Sequence, residues 1–280
     1  MKERSNMGDS VFDKLAEKWD KFITKSTHPV VKDFQRKERD FLDEVILEAP
    51  GGKIGLIEIG SGTGRLLFQY IDTEIDPIGN RRLKKGDLLK LKEKIAYIIG
   101  VDNSTSMMEK SIQNLMDRNL INRYMKDVFL IRMDAVNLAK KLPKFLNRYG
   151  LQDYPRIFFC MLCTLGNIPM PKRIKVLKAI NKTMSPLDNF VVAVWNRERF
   201  ENGIEMYEPF KGLIGNFTNR NIFRETAEIH TETGYYIHWF YAEELKEQLE
   251  KTGFRVEKLE APKAGNAGGY CVLAVAKRSL

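Results

Sequence analysis

Cysteine is scarce in this 280-residue chain: Cys160, Cys163 and Cys271 are the only three. They are few and odd in number, which does not make a disulfide framework. Cys160 and Cys163 form a C-x-x-C pair, but inside an apolar strand pattern and with no second pair. They read as buried thiols rather than as a zinc or redox site. No run of about 18 apolar residues occurs, so no transmembrane helix and no membrane partner are expected. The opening MKERSNMGDS lacks an apolar segment, so secretion is not expected either. These absences together point to the cytoplasm. No internal repeat or low-complexity tract is present. His230 and His238 lie an even number of residues apart in a hairpin pattern, which puts them on one face. No acid or cysteine pattern surrounds them, so no metal site is expected.

The length suits one elaborated domain. The net charge is +9, which fits a lysine-rich surface or, more sharply, attraction to nucleic acid or another anionic surface. The charge is spread along the chain apart from one cluster, Arg81, Arg82, Lys84, Lys85, Lys90, Lys92 and Lys94. That cluster lies in residues 72–94, where Pro77, Gly79 and Gly86 mark turns. It reads as a solvated insertion that is also able to meet phosphates.

The rest is organised around residues 54–70, IGLIEIGSGTGRLLFQY. A short apolar run ends in Glu58 and is followed by Gly60, Gly62 and Gly64, then by a helical pattern. This predicts a buried strand, a glycine turn and a helix start. Glycines so spaced let backbone approach a ligand, and a helix N-terminus offers free N–H groups. Before it, residues 1–50 predict two amphipathic helices, the first with Phe12, Leu15, Trp19, Phe22 and Ile23, the second over about 30–47. After it, strands at IAYIIGVD, VFLIRMD, RIFFCML and NFVVAVWN alternate with helices, which predicts a mostly parallel sheet covered on both faces. Residues 197–241 break the alternation and contain a hairpin around Thr233-Gly234. A helix and two last strands, joined through PKAGNAGG, finish the chain.

Glu58-x-Gly60-x-Gly62-x-Gly64 resembles motif I, (D/E)-x-G-x-G-x-G, of the class I S-adenosylmethionine (SAM)-dependent methyltransferases. Arg65 breaks the G-x-G-x-x-G of a dinucleotide site. The resemblance covers about residues 54–278 and implies an α/β, doubly wound, seven-stranded sheet of order 3-2-1-4-5-7-6 with the last strand antiparallel. It also implies an N-terminal helical segment over 1–50, a methyltransferase domain over 51–280 with the basic insertion at 72–94, and a substrate cap at 197–241. The implied cofactor is SAM, held by Glu58, Gly60, Ser61, Gly62 and Gly64. Asp102, at the end of strand two, would accept from the ribose hydroxyls. In the following VDNSTSMM, Asn103 would add a contact, Ser104 would cap a helix, and Met107 or Met108 would lie against adenine. Asp134 and Ala135 resemble the adenine-binding turn, with Asp134 also suited to capping the next helix. Trp19 could close over the methionine end.

On the acceptor side, residues 163–169 lack the (N/D)-P-P-(Y/F) of amino DNA and several RNA methyltransferases. They look instead like the L-G-N-x loop of amine N-methyltransferases, which singles out Asn167 to orient a substrate or to bind the carboxylate region of SAM through its amide. Asn196 and Glu198 follow strand five directly, and His238 lies in the cap. If a base is needed, Glu198, His238 and Glu58 are the choices. The cap is rich in aromatics, among them Phe200, Tyr207, Phe210, Phe217, Tyr235 and Trp239, whose faces can hold a cationic amine or pack the cap itself. The expected activity is methyl transfer to a small-molecule acceptor at nitrogen. The alternatives are an RNA methyltransferase and a non-catalytic SAM-binding protein.

Overall fold

A computed structural model describes residues 11–25, 28–71, 85–120, 127–210, 214–215, 218–261 and 269–279. Two helices, α1 (Val11–Lys25) and α2 (Pro29–Glu48), precede β1 (Ile54–Ile59). Then come α3 (Arg65–Ile71), α4 (Lys85–Lys94), β2 (Ile95–Asp102), α5 (Thr105–Asp117) and β3 (Val128–Arg132). A 3₁₀ turn leads to α6 (Leu138–Arg148), β4 (Arg156–Cys160), α7 (Met170–Thr183) and β5 (Asn189–Trp195). The cap contributes α8 (Phe200–Ile204), β6 (Ile222–Phe223), β7 (Glu228–His230) and β8 (Tyr236–His238), before α9 (Ala242–Lys251), β9 (Phe254–Glu260) and β10 (Cys271–Arg278) close the chain.

The seven-stranded sheet has the order β3-β2-β1-β4-β5-β10-β9. β10 alone runs against its neighbours, β5 and β9. The expected order and the expected antiparallel strand are both present. β1 is buried along its whole length because it pairs with β2 and β4 and is covered on both faces. The core is continuous from Phe34 and Phe41 of α2 through the central strands to Leu245 of α9.

Of the described side chains of the basic stretch, Lys90 and Lys92 are exposed, as a solvated segment would have them, and Lys94 alone turns inward. Lys94 donates to the carbonyls of Leu47 and Ala49 at 2.7 and 2.6 Å. It satisfies the C-terminal carbonyls of α2 instead of facing a partner. Arg81, Arg82 and Lys84, with Pro77 and Gly79, lie outside the described residues, as do the side chains of Lys85, Phe22, Ile23, Phe210 and Phe217 and most of PKAGNAGG. The hairpin is as expected: β7 pairs with β8 so that Glu228 faces His238 and His230 faces Tyr236, all four on one face. Among the described residues no helix is long and apolar enough to cross a membrane, and no cluster could hold a metal ion.

Candidate functional site

The carboxyl ends of β1, β2, β3 and β4 open into a cavity of about 360 Å³, within the range of small-molecule sites. Its floor is the glycine turn. Gly60 has φ +73°, and a Cβ there would meet Thr164 Cγ2 at 2.2 Å, so only glycine lets the β4 loop close on this turn. Gly62 has φ +54° with open space where its Cβ would be, and its N–H donates to Asp102 Oδ2 at 2.8 Å. Ser104 N donates to Asp102 Oδ1 at 2.8 Å. Burial pushes the Asp102 carboxyl up, opposed by these backbone donors. Each oxygen keeps acceptor capacity for a further donor in the cavity. Ser104 caps α5 by accepting from Met107 N at 3.2 Å. Gly64 does not line the cavity. Its missing Cβ makes room for Phe68 and Ser111 instead.

Of the other residues read from sequence, Glu58, Ser61, Asn103, Met107, Asp134, Ala135, Trp19 and Asn167 all line the cavity, and Met108 does not. Asp134 accepts from Val136 N at 3.2 Å, as a cap should, and its Oδ2 pairs with Lys172 Nζ at 2.8 Å. α1 forms part of the roof through Phe12 and Trp19, whose rings meet edge to face at 5.9 Å. Two acids pin α1 there. Asp13 accepts from Ser104 Oγ at 2.6 Å and Ser106 N at 3.1 Å, and Asp20 accepts from Asn114 Nδ2 at 2.9 Å. The Gly234 turn of the cap hairpin completes the roof.

Beneath the floor lies a buried charge cluster that no motif announces. Arg65 pairs with Glu38 of α2. The other Glu38 oxygen accepts from Leu162 N at 2.7 Å. Leu162 and Cys163 are consecutive non-glycine residues with φ +45° and +58°, a costly left-handed turn. Glu38 therefore ties α2, the glycine turn and the β4 loop together. Glu58 Oε2 is buried and has no partner. Burial pushes the Glu58 carboxyl well above the usual range; Arg65 pulls it down, and Glu38 and Asp102 push it up. Arg65 gives its bond to Glu38, so the Glu58 oxygen stays an open acceptor that a cationic ligand in the cavity would satisfy. Arg65 was visible in the sequence only as the break in a glycine pattern. Glu38 had a legible signal: a carboxylate inside the apolar stripe of Phe34, Phe41 and Leu42.

Three residues read as catalytic stand elsewhere. Asn196 is buried, donating to Gly269 O at 2.8 Å and accepting from Glu198 N at 3.1 Å. Glu198 is exposed and outside the cavity lining. The reason is that Trp195, at the end of β5, is packed between Phe34 and Trp239, with ring centroids at 4.2 and 5.2 Å. At this strand end it is Trp195, not Asn196, that faces the ligand space, lining the small cavity described below. His238 is buried in the cap against Glu244 at 2.7 Å and Glu228 at 3.4 Å, and is not part of the larger cavity's lining. The three cysteines are buried. Burial pushes the Cys163 thiol up to about 12 and raises Cys160 further, so neither is a ready nucleophile.

A second, smaller cavity of about 30 Å³ adjoins the first. The two share Trp19, Leu162 and Asn167. Its remaining wall is apolar and aromatic, chiefly Trp195, Met206, Tyr207 and Tyr235. Asn167 Oδ1, at this junction, is buried and has no partner.

No protein-family model matches the sequence, and no curated protein matches it. Solved structures do match the fold. The CcbJ methyltransferase from Streptomyces caelestis is 15% identical with a TM-score of 0.56, covering 97% of this chain and 99% of its own. A SAM-dependent methyltransferase from Clostridium acetobutylicum is 12% identical with a TM-score of 0.55, covering 96% and 99%. The 1,6-didemethyltoxoflavin-N1-methyltransferase of Burkholderia thailandensis, solved with its 1,6-didemethyltoxoflavin and S-adenosylhomocysteine, is 11% identical with a TM-score of 0.53, covering 95% and 88%. The chain has the fold of the class I SAM-dependent methyltransferases over nearly its whole length.

Proposed function

We propose that the protein is a SAM-dependent methyltransferase acting at nitrogen on a small, flat acceptor. The observation that carries the cofactor half is the unpartnered, buried Glu58 oxygen beside the Gly60–Gly62 turn and Asp102. A cationic ligand with a vicinal diol fits this donor and acceptor set. Glu58 meets the positive charge, Asp102 receives the hydroxyls, Asp134 and Ala135 receive the base, and Trp19 covers the methionine end. SAM supplies a methyl group on positively charged sulfur, already activated for transfer. The chain's task is then to align the acceptor and exclude water. Phe12 and Trp19 in the roof supply the exclusion.

For the acceptor, the small cavity has no ionised group in its wall. The Tyr207 and Tyr235 hydroxyls stay protonated because burial raises both. A nitrogen acceptor therefore arrives neutral, with its ring between aromatic side chains. Asn167 Oδ1 accepts an acceptor N–H and turns the nitrogen lone pair towards the first cavity. The Burkholderia relative, an N1-methyltransferase of a small molecule, agrees with this reading. A second reading, methylation of RNA, is favoured by one observation taken up below. The test is incubation with methyl-labelled SAM and separate pools of small aromatic amines and of tRNA. The expected result is label on an amine nitrogen, with kcat/KM reduced at least about tenfold in Asn167→Ala and SAM affinity unchanged. Label only on RNA would install the second reading. SAM binding without turnover on any pool would leave a non-catalytic binding protein.

A further inference from the structure

Among the described residues, positive charge gathers on one pair of packed helices. α6 carries four basic residues and no acidic one, and α7 carries five and no acidic one. Together they equal the net charge of the whole protein, +9. Neighbouring α9, joined to α7 through Arg173 and Gln248 at 3.4 Å, has four acidic residues and two basic ones. The outer face of α6 presents Lys140, Lys141, Lys144 and Arg148, all exposed. Three of these follow i, i+4, i+8 spacing, one stripe with neighbours about 5–6 Å apart. Lys175, Lys178 and Lys182 form the matching stripe on α7 and are exposed too. Among the described residues none of these seven pairs with a carboxylate. Both helices begin at the carboxyl edge of the sheet, so the stripes run away from the cavity mouth, where Lys172 lines the cavity itself.

We propose that the α6–α7 face binds the phosphate backbone of a single-stranded nucleic acid. Parallel rows of unpaired lysines neutralise phosphates without reading bases. The apolar sides of both helices, Leu138, Leu142 and Leu146 and Val176, Leu177 and Ile180, are buried in the core. Of the large apolar side chains of the two helices only Met170, at the start of α7, is exposed, which is not the continuous apolar face that an interfacial membrane helix inserts. Tyr149, half exposed at the end of α6, is engaged by Arg148 over its ring at 5.7 Å and by the rings of Phe145 and Phe129 at 4.6 and 5.2 Å, so the face meets a ligand through charge rather than through stacking. A strand is favoured over a duplex because a base that enters the roofed cavity beyond Lys172 leaves a single strand without the cost of unpairing. The inference goes beyond the small-molecule reading and does not depend on it.

The test is fluorescence anisotropy of the full chain with a labelled 20-nucleotide RNA, and with DNA of the same sequence, across a salt series. A Lys140→Glu/Lys144→Glu/Lys175→Glu/Lys178→Glu variant is compared with Lys90→Glu/Lys92→Glu on α4. Circular dichroism and SAM titration check both for folding. The expected result is binding whose logarithm falls steeply with log salt, at about −0.7 per phosphate contacted. It should weaken at least about tenfold in the quadruple variant and hold in the α4 variant, with SAM affinity the same in all three. Binding of both RNA and DNA supports backbone recognition; preference for RNA assigns a 2′-hydroxyl contact as well. No binding at low salt, an equal loss in the α4 variant, or equal affinity for phosphatidylserine vesicles with the same loss would overturn the proposal. A failure of SAM to bind would strike the cofactor reading and leave this one standing.

Discussion

The two ends of the cavity are built by different means. At the glycine-turn end the groups are largely backbone: N–H groups of Gly62 and Ser104 around Asp102, and turns whose shape only glycine permits. At the β4-loop end the groups are side chains gathered from four separate segments, with Trp19, Asn167, Trp195 and Tyr235 meeting around one small space. The first end is local in sequence and the second is not. A ligand held at the first end meets fixed dipoles, whereas the identity of anything held at the second is set by packing.

The cluster of Glu38, Arg65 and Glu58 joins the two ends, and breaking it gives the largest expected effect. Arg65→Ala leaves the Glu38 carboxylate buried without its cation. A loss of about 3–5 kcal/mol is expected from urea unfolding followed by circular dichroism. A loss below about 1 kcal/mol would show that solvent reaches the cluster. Next is Glu58, which sharpens the contrast by acting only at the cofactor end. Its carboxyl is raised by burial, and a bound cation lowers it again, so binding releases a proton. SAM affinity should therefore rise with pH above the ordinary carboxylate range, until Glu58 is ionised in the free protein as well. In Glu58→Gln the dependence should disappear, as read by calorimetry in buffers of different ionisation enthalpy. A flat profile in the parent protein would place the cation elsewhere. Smaller, and confined to the roof, is Asp13→Ala. It removes the acceptor of Ser104 Oγ and Ser106 N, and a loss of about 1 kcal/mol is expected, with faster proteolysis of α1. The smallest effect belongs to the cysteines: an Ellman's reagent titration of the native protein should find no fast-reacting thiol, and three after unfolding.

The same contrast explains what the sequence disclosed. Strand, glycine turn and helix between Ile54 and Ile71 were legible because periodicity and glycine spacing are local properties. So were Asp102 and Asp134, each at the end of an apolar run. Asn196, Glu198 and His238 stand at the right chain positions yet outside the cavity, because the stack of Phe34, Trp195 and Trp239 depends on α2 and the cap, far from β5 in sequence. The α6–α7 charge face was equally hidden. Its lysines are interrupted by β4, and only the packing of the two helices adds them into one surface.

The central claim is that the glycine-turn end holds SAM through Asp102, and isothermal calorimetry of the protein with SAM and with S-adenosylhomocysteine tests it most directly. The account predicts binding of both, weakened about a hundredfold in Asp102→Ala as two charge-assisted hydrogen bonds to the ligand are lost. Binding of neither ligand, or equal affinity in the variant, would contradict it.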